Sequence, residues 1–587
     1  MARDTTSLEP RGCLRQAIIG EVIDPSEAST RTLKFRHNEL APISRLPCEL
    51  LATIFSFLSI FARNERSGAL AWIYVTLVCR RWRETALNHP RLWSHINLTE
   101  LTLVGMVEIL SRSKMAPLNL EADSYKWDMK HCKAFERQLE AHISHTRHIK
   151  ISGYHLSNVV KRLVSPTPIL ESLSLYEVNY ATIPDNLFNC TAPSLTSLKL
   201  HKCNITWKSP LLKGLRILEI LGLSANARPE LDDWLDSLNE MSQLKALSLR
   251  YATPRAPLVG LLISRTVTLP SLTYFYINAP AKDCALSLAH LVLPTLSRLH
   301  VDVESHDQEG EDVLLMIPYV VRNVCVLQNI EPIRSILIDC KRWCTEVFTW
   351  TTPGADVKVG GRTMNGISRS ACFLFSAKGL SWNYGVDAAI IDTLLTLLPT
   401  NSVSTLTTRY GTRLSKEFWI NHVPRLPLLE QARLVPTSVW AFWEMLAEDT
   451  PPDGPRLPSL TRLILIDVTL TALRAYHLCN VLIKRVEQGI PLESLDLRTC
   501  IAAKLAIQLL AEIVVDMQEP LGAHPMEEFF NWYEGICYEN EVEFDDRQGP
   551  WCCDVDNSMD GDGDDENVTT SDEGEVKYED KINNEMG

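Results

Sequence analysis

Three things are scarce in this chain of 587 residues, and each scarcity excludes a class of function. The first is a long apolar run. The strongest candidate, residues 501–515, is interrupted by Lys504, Gln508 and Glu512 and is too short to cross a bilayer. Residues 1–20 lack the apolar segment of a signal peptide. The second is an excess of positive charge. The formal net charge is −14, but residues 539–587 hold 18 acidic and 3 basic side chains out of the 72 and 58 in the whole chain. The first 538 residues therefore keep 54 acids against 55 bases, a net of +1. A nucleic-acid binder needs a basic stripe, and this balance supplies none. The third is paired cysteine. Sixteen cysteines are scattered with none at C-x-x-C spacing, as expected of reduced thiols in a cytoplasmic or nuclear protein. The expectation is a soluble chain with no membrane and no nucleic-acid partner.

Catalytic and metal-binding patterns are missing as well. There is no glycine-rich phosphate loop, no G-x-S-x-G elbow and no H-E-x-x-H pair. His142 and His145 stand one helical turn apart, but His148 leads into a strand-like stretch, and no carboxylate or cysteine sits at ligand spacing. Cys340 with Cys344, and Cys552 with Cys553, lack zinc-spaced partners. Asp556 to Asp564 imitates the start of a calcium loop, yet Asn567 stands where a bidentate glutamate is required. Thr569, Thr570 and Ser571 precede acids and suit an acid-directed kinase. The sequence points to no enzyme, no cofactor and no resident metal.

What is present begins at residues 42–98. Leu46, Leu50, Leu51, Ile54, Phe55 and Leu58 repeat at helical spacing behind Pro47, with Glu49 near the positive helix end. A second amphipathic piece, residues 75–87, places Val75, Val78, Cys79, Trp82 and Ala86 on one face before His89 and Pro90 end it. Two or three small helices cannot hide this much apolar surface among themselves.

The string Leu46-Pro47-x-Glu49-Leu50-Leu51-x-x-Ile54-Phe55-x-x-Leu58, then Leu77 to Arg83 with Arg81-Trp82 at its centre, then Pro90 to Trp93, resembles an F-box in the form common among fungal F-box proteins. The connector at 59–70 is longer than that family usually shows. The resemblance implies docking on the Skp-type adaptor of a cullin–RING ubiquitin ligase, with Leu46, Pro47, Leu50, Leu51, Ile54, Phe55, Val78 and Trp82 as the adaptor contact. The alternative is a helical hairpin that only caps a scaffold.

Beyond residue 98 an internal period appears. Units of the form Leu-x-x-Leu-x-Leu, some with other apolar residues, start at positions 170, 195, 215, 244, 272, 296, 333, 403, 429, 460 and 492. Their separations are 25, 20, 29, 28, 24, 37, 70, 26, 31 and 32 residues, so one unseen unit is expected between 340 and 400. Weaker hints lie at 93–98, 115–120 and 146–151. Pro-Ser-Leu-Thr recurs at Pro193, Pro270 and Pro458. This resembles irregular leucine-rich repeats, including a cysteine three places after the last leucine at Cys203 and Cys500. Stacked units would bury together what none buries alone, with helices at 231–238, 258–263, 387–398, 439–446 and 470–486.

The expected fold class is α/β. Its parts are a polar segment at 1–41, a helical F-box at 42–98, a repeat solenoid at 99–538 closed by aromatic residues Phe529 to Tyr533, and an acidic disordered tail at 539–587. The expected function is non-catalytic: a substrate receptor that brings a target protein to the ligase for ubiquitination. Residues beside the repeat leucines should face an inner, concave surface. There Arg250, Tyr274, Tyr276, Arg298 and His300 form an aromatic and basic patch for an acidic or phosphorylated target segment.

Overall fold

The computed structural model describes residues 40–520, together with Thr32, His37 and Asn38, apart from stretches at 65–70, 100, 154–155, 258–262, 264, 306–309, 329–330, 342–343, 355–370, 380–383, 410–411 and 449–453. The chain divides into Met1–Pro525 and Met526–Gly587. The second unit lies outside the described residues, and with it the acidic tail and the expected aromatic cap. So does most of the expected helix at 258–263.

Helix α1 spans Cys48–Asn64. The expected helix at 75–87 is instead two pieces, a 3-10 turn at Ala71–Leu77 and helix α2 at Arg80–Leu87. Cys79 between them is extended, at φ −156° and ψ 169°. The break lets Trp72 and Val75 turn inward while Leu77 and Val78 stay exposed. A further 3-10 turn at Pro90–Trp93 leads into the first strand.

From there the chain builds one 17-stranded sheet. Its strands are β1 (His95–Asn97), β2 (Leu118–Asp123), β3 (Thr146–Ser152), β4 (Ser172–Thr182), β5 (Ser197–Asn204), β6 (Ile217–Leu221), β7 (Ala246–Arg250), β8 (Tyr274–Pro280) and β9 (Arg298–Glu304). Then follow β10 (Ser335–Lys341), β11 (Cys344–Trp350), β12 (Phe373–Lys378), β13 (Thr405–Thr408), β14 (Gln431–Leu434), β15 (Arg462–Leu465), β16 (Ser494–Asp496) and β17 (Asp516–Gln518). Strands β1 to β9 pair in chain order, each parallel to the next. Strands β13 to β17 do the same.

The register shows why the leucines recur. Leu173, Leu198, Leu218, Leu247, Phe275, Leu299 and Phe373 align across neighbouring strands, as do Leu175, Leu200, Ile220, Leu249, Ile277, Val301 and Phe375. None exposes more than 1% of its surface. Alternation sends these rows to one face, where helices such as Leu231–Asn239 and Ala281–Ala289 cover them. Cys203 and Cys500 act alike: each thiol points back at a carbonyl of the preceding unit, Leu175 O at 3.8 Å and Leu465 O at 3.3 Å. Arg322 and Arg485, each on a covering helix, donate to three main-chain carbonyls of the unit before. A single buried core runs from Leu51 to Val514.

The middle departs from the expected period. The unit at 333–338 does not lie beside the unit at 296–301. Strand β9 pairs with β12, β12 runs antiparallel to β11, β11 antiparallel to β10, and β10 is parallel to β13. Among the described residues between 340 and 400, β12 continues the leucine rows and is followed by a helix at Tyr384–Leu397, as the expected unit requires, and β11 is an additional strand beside it. Both escaped notice because they do not alternate throughout: five of seven residues of β11 and five of six of β12 are buried, so both faces are covered. Leu337, Phe348, Trp350, Ala371 and Leu374 form a second apolar cluster on the face turned away from the helices.

Candidate functional site

Helix α1 is apolar on two sides. Leu51, Ala52 and Phe55 are buried in the core. Leu50, Ile54, Phe57 and Leu58, at i, i+4, i+7 and i+8, form an exposed stripe along the other side. The neighbouring turn adds Tyr74 and Leu77, with Val78 beside them, all at least half exposed. The support beneath is tightly fixed. The Arg81 guanidinium donates to the carbonyls of Ser44 and Leu46 and so ties α2 to the turn before α1. Phe55 and Trp82 rings lie 5.1 Å apart, and Trp72 meets Trp93 edge-on at 5.0 Å. Trp93 Nε1 donates to Ala86 O at 2.7 Å, and Arg112 from the next helix sits 4.7 Å over the Trp93 ring.

Of the residues expected to contact an adaptor, Pro47, Leu50, Ile54 and Val78 are exposed, while Leu46 and Trp82 are half-buried. Leu51 and Phe55 are fully buried, so they hold the helices together and offer nothing to a partner. Phe57, Leu58, Tyr74 and Leu77 share the exposed apolar surface and were not among those expected. The first two continue the spacing from Leu50, which was legible, but a helix that is apolar nearly all round does not say which face turns inward.

A comparison with protein families matches residues 43–99 to the F-box-like family, one residue from each expected boundary. Residues 43–99 are an F-box-like domain. No curated protein matches the chain. The F-box-like domain is not a separate body within the first unit: Leu92, Trp93 and Ile96 belong to the same core as the sheet.

The second candidate lies on the helix-free face of β7, β8 and β9. Register places Ala246, Tyr274 and Arg298 in one row, Ser248, Tyr276 and His300 in the next, and Arg250, Asn278 and Asp302 in the third. The five predicted residues therefore share one face. Arg250 and Arg298 are exposed, whereas Tyr274, Tyr276 and His300 are half-buried. The Tyr276 and His300 rings meet edge-on at 4.8 Å. Burial pushes the Tyr276 hydroxyl up to about 12 and the His300 imidazole down to about 4, so both are neutral near pH 7. The surrounding acids are occupied: Asp302 by Lys378 at 2.7 Å, Glu219 by His201 at 2.6 Å and Lys199 at 3.1 Å, and Glu304 by the Tyr251 hydroxyl. The His201 hydrogen bond holds the Glu219 carboxyl below the usual range.

His142 and His145 do approach, at 3.4 Å between ring nitrogens, and burial lowers both pKa values. Among the described residues no three His, Cys, Asp or Glu side chains are placed to share a metal ion. Among the same residues, no helix is long and apolar enough to cross a membrane.

Proposed function

We propose that this chain is the substrate-receptor subunit of a Skp–cullin–F-box type ubiquitin ligase. The observation that supports it is the exposed stripe Leu50–Ile54–Phe57–Leu58 on a helix whose other side is already packed. F-box-like domains bind Skp-type adaptors, and a contiguous apolar helix face left in water calls for a partner. In this reading the F-box-like domain holds the adaptor, and through it the cullin. The sheet and its helices are an irregular leucine-rich-repeat solenoid that binds a target protein. The chain itself catalyses nothing, holds no cofactor, and works in the cytoplasm or nucleus. Aligned leucine rows and the matching roles of Cys203 and Cys500 support the repeat reading. Arg250, Tyr274, Tyr276, Arg298 and His300 are the proposed target contact.

A second reading has its own support. Trp93 and its neighbours seal the first strand of the sheet, as a cap would. In that case the chain is an interaction scaffold with no ligase attached. Co-purification decides: the full chain expressed with a Skp-type adaptor and cullin should form a complex by size exclusion. Elution of the chain free of adaptor would leave the scaffold reading.

A further inference from the structure

Two guanidinium groups on the helix-free face lack a carboxylate of their own. Among the described residues Arg250 and Arg298 make no ion pair, although the acids around them are all engaged. Nor do the hydroxyls of Tyr274 and Tyr276 have a hydrogen-bond partner among those residues. Arg298 acts electrostatically on Tyr274, and Arg250 on Tyr276. The face thus offers two like cradles, each a guanidinium beside a free phenol.

Their separation is set by the register. Arg298 is level with Tyr274, and Arg250 is level with Asn278, four residues further along and two strands across. At about 3.3 Å per residue and about 4.8 Å per strand, the two α-carbons stand roughly 16 Å apart on a diagonal. The Tyr276–His300 ring pair lies between them. An extended chain covers that diagonal in about five residues, and the length of the arginine side chains shortens it to three or four.

We propose that this face binds an extended acidic segment of a partner protein, with two carboxylates three to five residues apart. One lies on Arg298 with Tyr274, the other on Arg250 with Tyr276, and an apolar residue between them rests on the Tyr276–His300 rings. The inference rests on the target-binding reading above. Charge selects the carboxylate. One guanidinium matches one monoanion through its two-pronged fork. A phosphate brings a charge of about −1.5 to −2 and calls for an arginine cluster. Here Glu304, bonded only to the neutral Tyr251 hydroxyl, keeps its negative charge, and a phosphate dianion meets about twice the repulsion that a carboxylate does.

The test uses the full chain and fluorescence anisotropy with labelled twelve-residue Ala/Ser peptides carrying a central Leu. Glutamate pairs are set one, four and eight residues apart, with glutamine and phosphoserine versions of the middle spacing. The four-apart glutamate peptide should bind at least about tenfold more tightly than the other spacings or the glutamine version, as two charged hydrogen-bonding groups require. Arg250→Ala and Arg298→Ala should each lose about tenfold, and Arg→Lys at both positions should restore only part, because an ammonium lacks the fork. Melting temperature and adaptor binding are followed in every variant and should not change. Equal binding at all spacings, or full binding by Arg250→Ala/Arg298→Ala, overturns the proposal. Phosphoserine binding in place of glutamate overturns the carboxylate assignment. Failure of the adaptor complex with peptide binding intact removes the ligase reading and leaves this one standing.

Discussion

Replacing Leu50 and Phe57 together by alanine separates the exposed side of α1 from its buried side. The two residues leave 51% and 59% of their surface in water. Full burial of such side chains is worth about 1.5–3 kcal/mol each, so covering the remaining half contributes about 1–1.5 kcal/mol per residue. The pair should therefore weaken adaptor binding by about 2–3 kcal/mol, or roughly 30- to 150-fold in Kd. Fold stability should hardly change, because neither side chain completes the core. Phe55→Ala is the control with the opposite signature. Phe55 is fully buried against Trp82, and its truncation should cost about 3–5 kcal/mol of stability. Titration calorimetry against a purified Skp-type adaptor reads the first effect, and urea unfolding followed by tryptophan fluorescence reads the second. Wild-type affinity in Leu50→Ala/Phe57→Ala would refute the assignment of this stripe to the adaptor.

Other consequences are equally direct. Arg485 is buried and donates to Arg456 O, Leu457 O and Leu460 O at 3.0–3.1 Å; Leu457 O also accepts from Leu460 N, so Arg485→Met strands the other two carbonyls and should cost about 2–3 kcal/mol in urea unfolding. His300 is neutral in the fold down to about pH 4, while an unfolded imidazole takes its proton near 6.5. Its contribution is complete above pH 6.5 and is lost as pH falls from 6.5 to 4. Relative to His300→Gln, the wild type should lose on the order of 3 kcal/mol across that window in denaturant titrations. Trp350 stacks with Phe348 at 6.0 Å on the helix-free side, so Trp350→Ala should cost about 3–5 kcal/mol although no leucine row is touched.

The outer repeats were legible because they alternate. In Leu198-Lys199-Leu200 or Leu247-Ser248-Leu249 the outward residue is polar and the inward ones are leucine, and the strands lie where that pattern puts them. Phe373-Leu374-Phe375 carries no such contrast, since Leu374 is buried on the far face, so its strand could not be told from any apolar run. The proposed target patch could be read from periodicity alone: once alternate residues share a face, Tyr276 and His300 must be neighbours on parallel strands. The adaptor contact could not, because Phe55 and Phe57 are the same residue type on one helix and only tertiary packing decides which is hidden. Cysteine 79 is a similar case. Nothing in its neighbours forbids a continuous helix, yet the inward turn of Trp72 and Val75 requires a break there.

The antiparallel pair in the middle bears on the order in which the chain assembles. A run of parallel neighbours can grow one hairpin-sized step at a time, each new strand finding the previous one waiting. That progress halts at β9. Leu299 pairs with Phe373, 74 residues later, and everything between must first be made and held aside. During synthesis the free edge of β9 stays open while β10 and β11 emerge as a hairpin facing no sheet. The arrival of β12 joins β9 to the β10–β11 hairpin, whose other edge later takes β13 and the strands after it. A chain cut at a seemingly natural repeat boundary after residue 341 would leave β10 with neither of its neighbours, β11 and β13, and β9 with an exposed edge open to other chains.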